Sequence, residues 1–276
     1  MSLLDYDFMQ RALVAALLVG LAAPAVGVFL VQRRLALMGD GIGHVALTGV
    51  ALGFLLGTAP VLTAVVVATI GAVVIELVRQ HGRTSGDVAL ALMFYGGIAG
   101  GVLLIGLAPG GTNANLLAYL FGSLTSVSPS DVVIIAALSG ALLLALVVVG
   151  REMFAVCHDE EFARVAGLPV RALNILLAVM AAVTVTVAMR VVGLLLVSAL
   201  MVVPVATAQQ LVRGFRATVV VALGVGVVAS LSGVVGSYYA DTAPGAMIVV
   251  VALGGFAVAA ALGAVRRRTR RPEAAR

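Results

Sequence analysis

The sequence predicts an all-α protein, a polytopic membrane helical bundle with about eight to nine transmembrane helices. Three observations predict it. Hydrophobic residues make up 62% of the 276-residue chain and charged residues 11%, whereas a soluble domain is nearer half apolar and a quarter charged. The mean hydropathy is +1.20. The apolar residues fall into about seven to nine runs of the length that crosses a bilayer, each nearly free of charge. A disordered chain and an ordinary cytosolic enzyme fit this composition poorly. The single cysteine, Cys157, excludes a disulfide scaffold and a cysteine-rich metal site.

The runs follow one another in a readable order. Phe8–Val31 is the first and ends at Arg33-Arg34. Met38–Gly57 follows, broken by Thr58-Ala59-Pro60. Val61–Val78 is closed by Arg79, His81 and Arg83; Glu76 there is placed for a local i,i+3 ion pair with Arg79. Ser85 is a helix cap for Val88–Leu107, with Asp87 in the first turn. Pro109–Asn113 is a turn. Asn115–Val127 is too short to span and reads as a re-entrant or interfacial segment. Ser128-Pro129-Ser130-Asp131 caps Val132–Val149. A charged stretch, Arg151–Arg171, contains a short amphipathic helix at Asp159–Ala166, with acids in its first turn and Gly167-Leu168-Pro169 ending it. Ala172–Met189, Val191–Leu211, Thr218–Tyr239 and Gly245–Val265 complete the set. Residues 1–265 read as one transmembrane domain and residues 266–276 as a basic cytoplasmic tail.

All 17 basic residues are arginine and the net charge is +5. They sit in short groups between runs, so nucleic-acid binding is a poor reading. Placing Arg33/Arg34, Arg79/Arg83, Arg151–Arg171, Arg213/Arg216 and the C-terminal cluster inside leaves the alternate connections free of arginine, as the positive-inside rule asks. Arg190 is the misfit. It falls on the outer side without an evident partner and reads as a snorkelling interfacial residue ahead of a gate residue. The N-terminus lacks the basic region of a cleavable signal peptide. Lysine is absent, so the chain has no nucleotide-binding P-loop, which needs one. Any ATP-driven work must be done by another polypeptide.

Charged residues within spans are costly and usually functional. Asp40, His44 and Thr48 are four residues apart and share a helix face. A carboxylate and a neutral imidazole one turn apart can both reach one divalent cation, Zn²⁺ or, less selectively, Mn²⁺ or Fe²⁺. Read singly, Asp40 is a helix N-cap and His44 a core histidine bonded to a carbonyl; read together in a lipid-embedded segment, they make a metal site. Gly49, Gly53 and Gly57 repeat every four residues, a small-residue packing stripe. Glycines at 39, 41 and 43 predict a broken helix near 38–57, the kind of segment that lines a substrate cavity. Asp241 reads equally as a turn residue before Pro244 and as a third ligand or cation-attracting group at the outer entrance.

Five blocks in order, Gly39–Gly53, Leu116–Asp131, Asp159–Pro169, Val191–Gln209 and Ser237–Val249, resemble the permeases of ATP-binding-cassette importers for zinc and manganese. GDGIGHVALTGVALG (Gly39–Gly53) is similar to the family's Gly-Asp-x-x-x-His segment. LLAYLFGSLTSVSPSD (Leu116–Asp131) resembles its Leu-Phe-Gly and Ser-Pro block. DEEFARVAGLP (Asp159–Pro169) resembles its cytoplasmic coupling helix. VVGLLLVSALMVVPVATAQ (Val191–Gln209) and SYYADTAPGAMIV (Ser237–Val249) resemble its two later blocks. The resemblance implies a multi-pass protein of the bacterial cell (inner) membrane, working as a homodimer or as paired permeases that form one pathway. It also implies a cytoplasmic ATP-binding subunit and an external metal-binding protein. Asp40 and His44 would be the in-membrane metal residues. Asp159, Glu160, Glu161, Phe162, Ala163, Arg164, Gly167 and Leu168 would contact the ATPase. The chain would be a transporter subunit and not itself an enzyme, with no permanently bound cofactor. Its cargo would be Zn²⁺ first, with Mn²⁺ or iron as alternatives. A proton-coupled secondary metal transporter and a chelate or cobalamin permease are the competing readings.

Overall fold

The structure, a computed structural model, describes residues 6–80, 86–107 and 118–270, the side chains of 86, 87 and 265–270 aside. His81, Ser85, the Asp87 side chain, the Pro109–Asn113 turn and the side chains of the C-terminal arginines lie outside the described residues. Ten helices are named here: α1 (Asp7–Gln32), α2 (Met38–Leu56), α3 (Pro60–Gln80), α4 (Gly86–Leu107), α5 (Pro129–His158), α6 (Glu160–Val165), α7 (Val170–Ala188), α8 (Val197–Leu211), α9 (Phe215–Ala240) and α10 (Pro244–Arg270). Eight are long and apolar enough to cross a membrane, and α8 is a shorter apolar helix. The chain is a multi-pass helical membrane protein.

Burial sorts these helices into two shells. The most apolar windows of α1, α2 and α7 are 72%, 61% and 67% buried, whereas none of the other five spans exceeds 33%. The first three therefore form the centre and the rest face lipid or a partner. Lipid tails are as apolar as leucine, so helices in a bilayer associate through close backbone packing. Gly20 of α1 lies against Ser230 and Gly226 of α9, and Gly27 of α1 lies against the Met201 carbonyl of α8. A side chain at any of these positions would part the helices.

Helix ends follow their sequences. Ser128 accepts from the Asp131 backbone N–H while the Ser128 N–H donates to the Asp131 carboxylate, a capping box with Pro129 at N1. The Asp159 side chain caps α6 by accepting from the Phe162 N–H at 2.9 Å. Gly167, at φ +82°, ends α6 as its first left-handed residue, and the Leu168 N–H returns to the Ala163 carbonyl. Buried Glu76 is held by Arg79 at 2.8 Å, the local pair its spacing implies.

Three expectations are corrected. The break near 38–57 is absent: α2 is continuous from Met38 to Leu56. Its glycines are packed, Gly39 against Ser198 and Met201, Gly41 against Met93 and Gly43 against the Leu194 carbonyl; tertiary contact outweighs their weak helix propensity. Gly57 is not part of the packing stripe. It ends α2 at φ +65° with nothing near its Cα hydrogens, whereas Gly49 and Gly53 meet Ala64 and Pro60 of α3. Arg190 is neither unpartnered nor snorkelling. It pairs with Asp131 at 3.2 Å, donates to the Ser126 carbonyl at 3.2 Å, and lies 4.9 Å from the centre of the Tyr119 ring.

That arginine fastens two irregular stretches to each other. Residues 118–121 are helical, and 122–127 lead to α5 without crossing the membrane. Residues 189–196 join α7 to α8. The Leu194 N–H donates to the Tyr119 carbonyl at 2.9 Å, Leu195 to Leu120 at 3.2 Å, and Ser123 to Arg190 at 3.3 Å. Gly122 (φ +78°) and Gly193 (φ +84°) bring the two backbones into contact.

Two outcomes are expected for purified protein in detergent. Gly49→Ala, whose Cβ would stand 2.6 Å from the Ala64 Cα, should cost about 1–3 kcal/mol of stability in reversible unfolding. Arg190→Ala should cost about 3 kcal/mol by stranding Asp131, and Arg190→Ala with Asp131→Asn should recover part of that loss.

Candidate functional site

The first two turns of α2 carry the two ionisable groups singled out by sequence. Asp40 does not cap its own helix: the N-cap is Leu37 and makes no side-chain bond. Instead Asp40 Oδ1 accepts from the Ser198 hydroxyl of α8 at 2.9 Å. His44, one turn on, is 8% exposed. Its Nδ1 is buried without a hydrogen-bond partner among the described residues, so the carbonyl-bonded core histidine is not what the structure holds. The imidazole meets the Phe94 ring of α4 edge-on at 4.3 Å. Leaving a buried polar nitrogen unpaired costs about 1–3 kcal/mol, and such groups call for a functional explanation.

Close approach of α4 fixes this geometry. Gly97 lies against the backbone of His44 and Val45; a Cβ there would stand 2.5 Å from the His44 carbonyl carbon. Gly100 and Gly101 accept Thr48 and Leu47 in the same way. Thr48, the third member of the polar stripe, donates to the Gly97 carbonyl at 2.8 Å and so locks the helix pair. A pocket of about 240 Å³ opens between α2 and α4, lined by Leu37, Asp40, Gly41, Leu90, Phe94 and Tyr95 among others. It opens at the surface of the chain, where Leu37 and Tyr95 are exposed.

Asp241 does not join this pair. It is an exposed C-cap of α9 at φ +48°, and among the described residues no three His, Cys, Asp or Glu side chains cluster. It stands in the turn that precedes Pro244.

Helix α6 is tied to the bundle on one side and bare on the other. Arg33, at the end of α1, donates both to Glu160 of α6, at 2.6 Å, and to the side-chain amide oxygen of Asn174 in α7. Arg164 also reaches Glu160, at 3.1 Å. Ala163 is buried, whereas Phe162 and Val165 are 67% and 89% exposed. A cleft of about 840 Å³ lies alongside, walled by Arg79, Arg164, Pro169, Arg171 and Asn174.

The family model described as the ABC 3 transport family matches residues 5–263. The chain belongs to the ABC 3 transport family. Within that family it is 34% identical over 257 residues to the manganese transport system membrane protein MntC of Halalkalibacterium halodurans, covering 93% of this chain and 88% of that one. It is 33% identical to the chelated iron transport system membrane protein YfeD of Yersinia pestis, over 92% of this chain and 85% of that one. Among solved structures, PsaBC from Streptococcus pneumoniae in complex with Fab superposes with a TM-score of 0.84 at 31% identity, covering 93% and 92% of the two chains.

Sequence reasoning on this ABC 3 chain found Asp40, His44 and Thr48 but missed Ser198, Phe94 and Gly97. The Gly96-Gly97…Gly100-Gly101 doublets were a visible sign that α4 would lie close to a neighbour. Gly97→Ala is expected to push α4 from α2 and to lower metal uptake at least tenfold; uptake by reconstituted vesicles measures it, and wild-type uptake would show that the approach is dispensable.

Proposed function

We propose that this chain is the membrane-spanning permease of an ATP-binding-cassette importer for a divalent transition-metal ion. The two relatives named for their cargo are manganese and chelated-iron proteins, which sets manganese ahead of zinc. One observation carries the reading. A carboxylate and a buried imidazole with a free nitrogen stand one turn apart, beside a pocket, in a chain of a transport family. A bare ion needs few ligands in transit, because a site that must release its cargo has to bind weakly. Neither ligand is a thiolate, in keeping with a borderline or hard dication.

Two copies of the chain fit this pocket, since it opens at the protomer surface. Asp40 and His44 of each copy would then face a shared conduit. An external binding protein delivers the ion, and the chain hydrolyses no ATP itself. A cytoplasmic ATP-binding subunit docks on α6, whose exposed Phe162 and Val165 are the apolar contacts such a partner would cover. Closure of the ATPase pair presses on α6, and the Arg33 bridge to Asn174 passes that motion to α1 and α7. The helices rock, and the site opens inward.

The test is manganese uptake by proteoliposomes carrying the permease, its ATPase and its binding protein. Asp40→Ala and His44→Ala should each abolish uptake while the variant still copurifies with the ATPase. Full uptake by Asp40→Ala would remove the assignment. Robust uptake without ATP would favour a proton-coupled carrier instead.

A further inference from the structure

The strongest unassigned contact in the molecule reaches the proposed site from a different helix. Ser198 sits in the first turn of α8 and donates to Asp40 Oδ1 at 2.9 Å, across 158 residues of sequence. A serine in a first turn ordinarily bonds its own helix backbone. Here the N-cap of α8 is Leu196, and it makes no side-chain bond; the Ser198 hydroxyl is spent on the carboxylate. Among the described residues no other hydrogen bond to Asp40 is made by a side chain, so Oδ2 is left for a ligand.

Gly39 makes the contact fit. A Cβ at position 39 would stand 3.4 Å from the Ser198 Cβ and 3.3 Å from the Met201 sulfur. The bare glycine lets α8 lie flat on the start of α2, with the hydroxyl beside the carboxylate. The choice of donor matters chemically. An arginine or lysine there would form an ion pair and cancel the charge that attracts a dication. A hydroxyl has one proton to give and no charge, so it fixes one oxygen and leaves the carboxylate anionic.

We propose that Ser198 is the positioning residue of the transit site, holding the Asp40 carboxylate so that Oδ2 is presented to the metal ion. This rests on the reading of Asp40 as a metal residue. Without the hydrogen bond, the carboxylate turns freely about its terminal torsion and must be ordered each time an ion arrives. With it, that ordering is already done.

The experiment compares Ser198→Ala, Ser198→Thr and Asp40→Asn in proteoliposomes containing the full permease–ATPase complex. Manganese-loaded binding protein is supplied at saturation, and ions transported per ATP hydrolysed are counted. Ser198→Ala should lower that ratio about tenfold, the scale of a hydrogen bond to a charged group. Ser198→Thr, which keeps the hydroxyl, should stay within about twofold of wild type. A purely structural role would make threonine, the bulkier residue beside Gly39, at least as harmful as alanine; equal loss in both variants overturns the proposal. A wild-type ratio for Ser198→Ala with none for Asp40→Asn overturns the role of Ser198 and leaves the metal site standing. A wild-type ratio for Asp40→Asn removes the site and the proposal with it.

Discussion

A bilayer interior offers the backbone no hydrogen-bond partner, so chain that is not helical must satisfy itself. Two non-helical stretches, residues 122–127 and 189–196, satisfy part of each other's backbone. Tyr119 and Leu120 carbonyls accept from Leu194 and Leu195, and Ser123 returns the favour to Arg190. The rest of the architecture depends on that mutual satisfaction. It sets where α8 begins, and hence where Ser198 meets Asp40. Arg190 adds a charge clamp to Asp131, which is itself half of the box that starts α5. Gly245, at the head of α10, is pressed against Val192 and Phe121, so the last span is seated on the same knot.

The second organising fact is how little side chain separates α2 from its neighbours. Gly49 and Gly53 face α3, Gly39 faces α8, and Gly97 brings α4 onto His44 from the other side. The helix with the most costly residues is thus one of the three that the bundle encloses. Small residues here are the condition for placing a carboxylate and an imidazole at a fixed distance from a pocket, because each ångström of added bulk would move a whole helix.

Much of this could be read from the chain alone. The apolar runs and their arginine punctuation gave the spans. Ser128 and Asp131 announced their cap, and the i,i+4 spacing put Asp40 and His44 on one face. What could not be read depends on partners distant in sequence. Glycines at 39, 41 and 43 look like a break because helix propensity is local, while the Met93, Leu194 and Ser198 contacts that hold them come from distant parts of the chain. Gly57 fits the four-residue spacing but lies one residue past the helix, where the left-handed cap takes it. Arg190 and Asp131, like Ser198 and Asp40, are joined by the fold and by nothing in the local pattern. Asp241 was equally readable as a turn residue or a ligand, and the structure shows it as the left-handed cap of α9.

The junction of Arg33 with Glu160 and Asn174 also shapes how force travels. It joins the short surface helix to the ends of two rods, α1 and α7, that occupy the middle of the molecule. Farther along α1, Gly27 bears directly on the Met201 carbonyl, less than one turn from Ser198. A load applied at the short helix α6 therefore has a stiff route to the start of α8 that passes through no loop. The speed of any such response would follow from rigid tilting of rods and not from refolding of connecting chain.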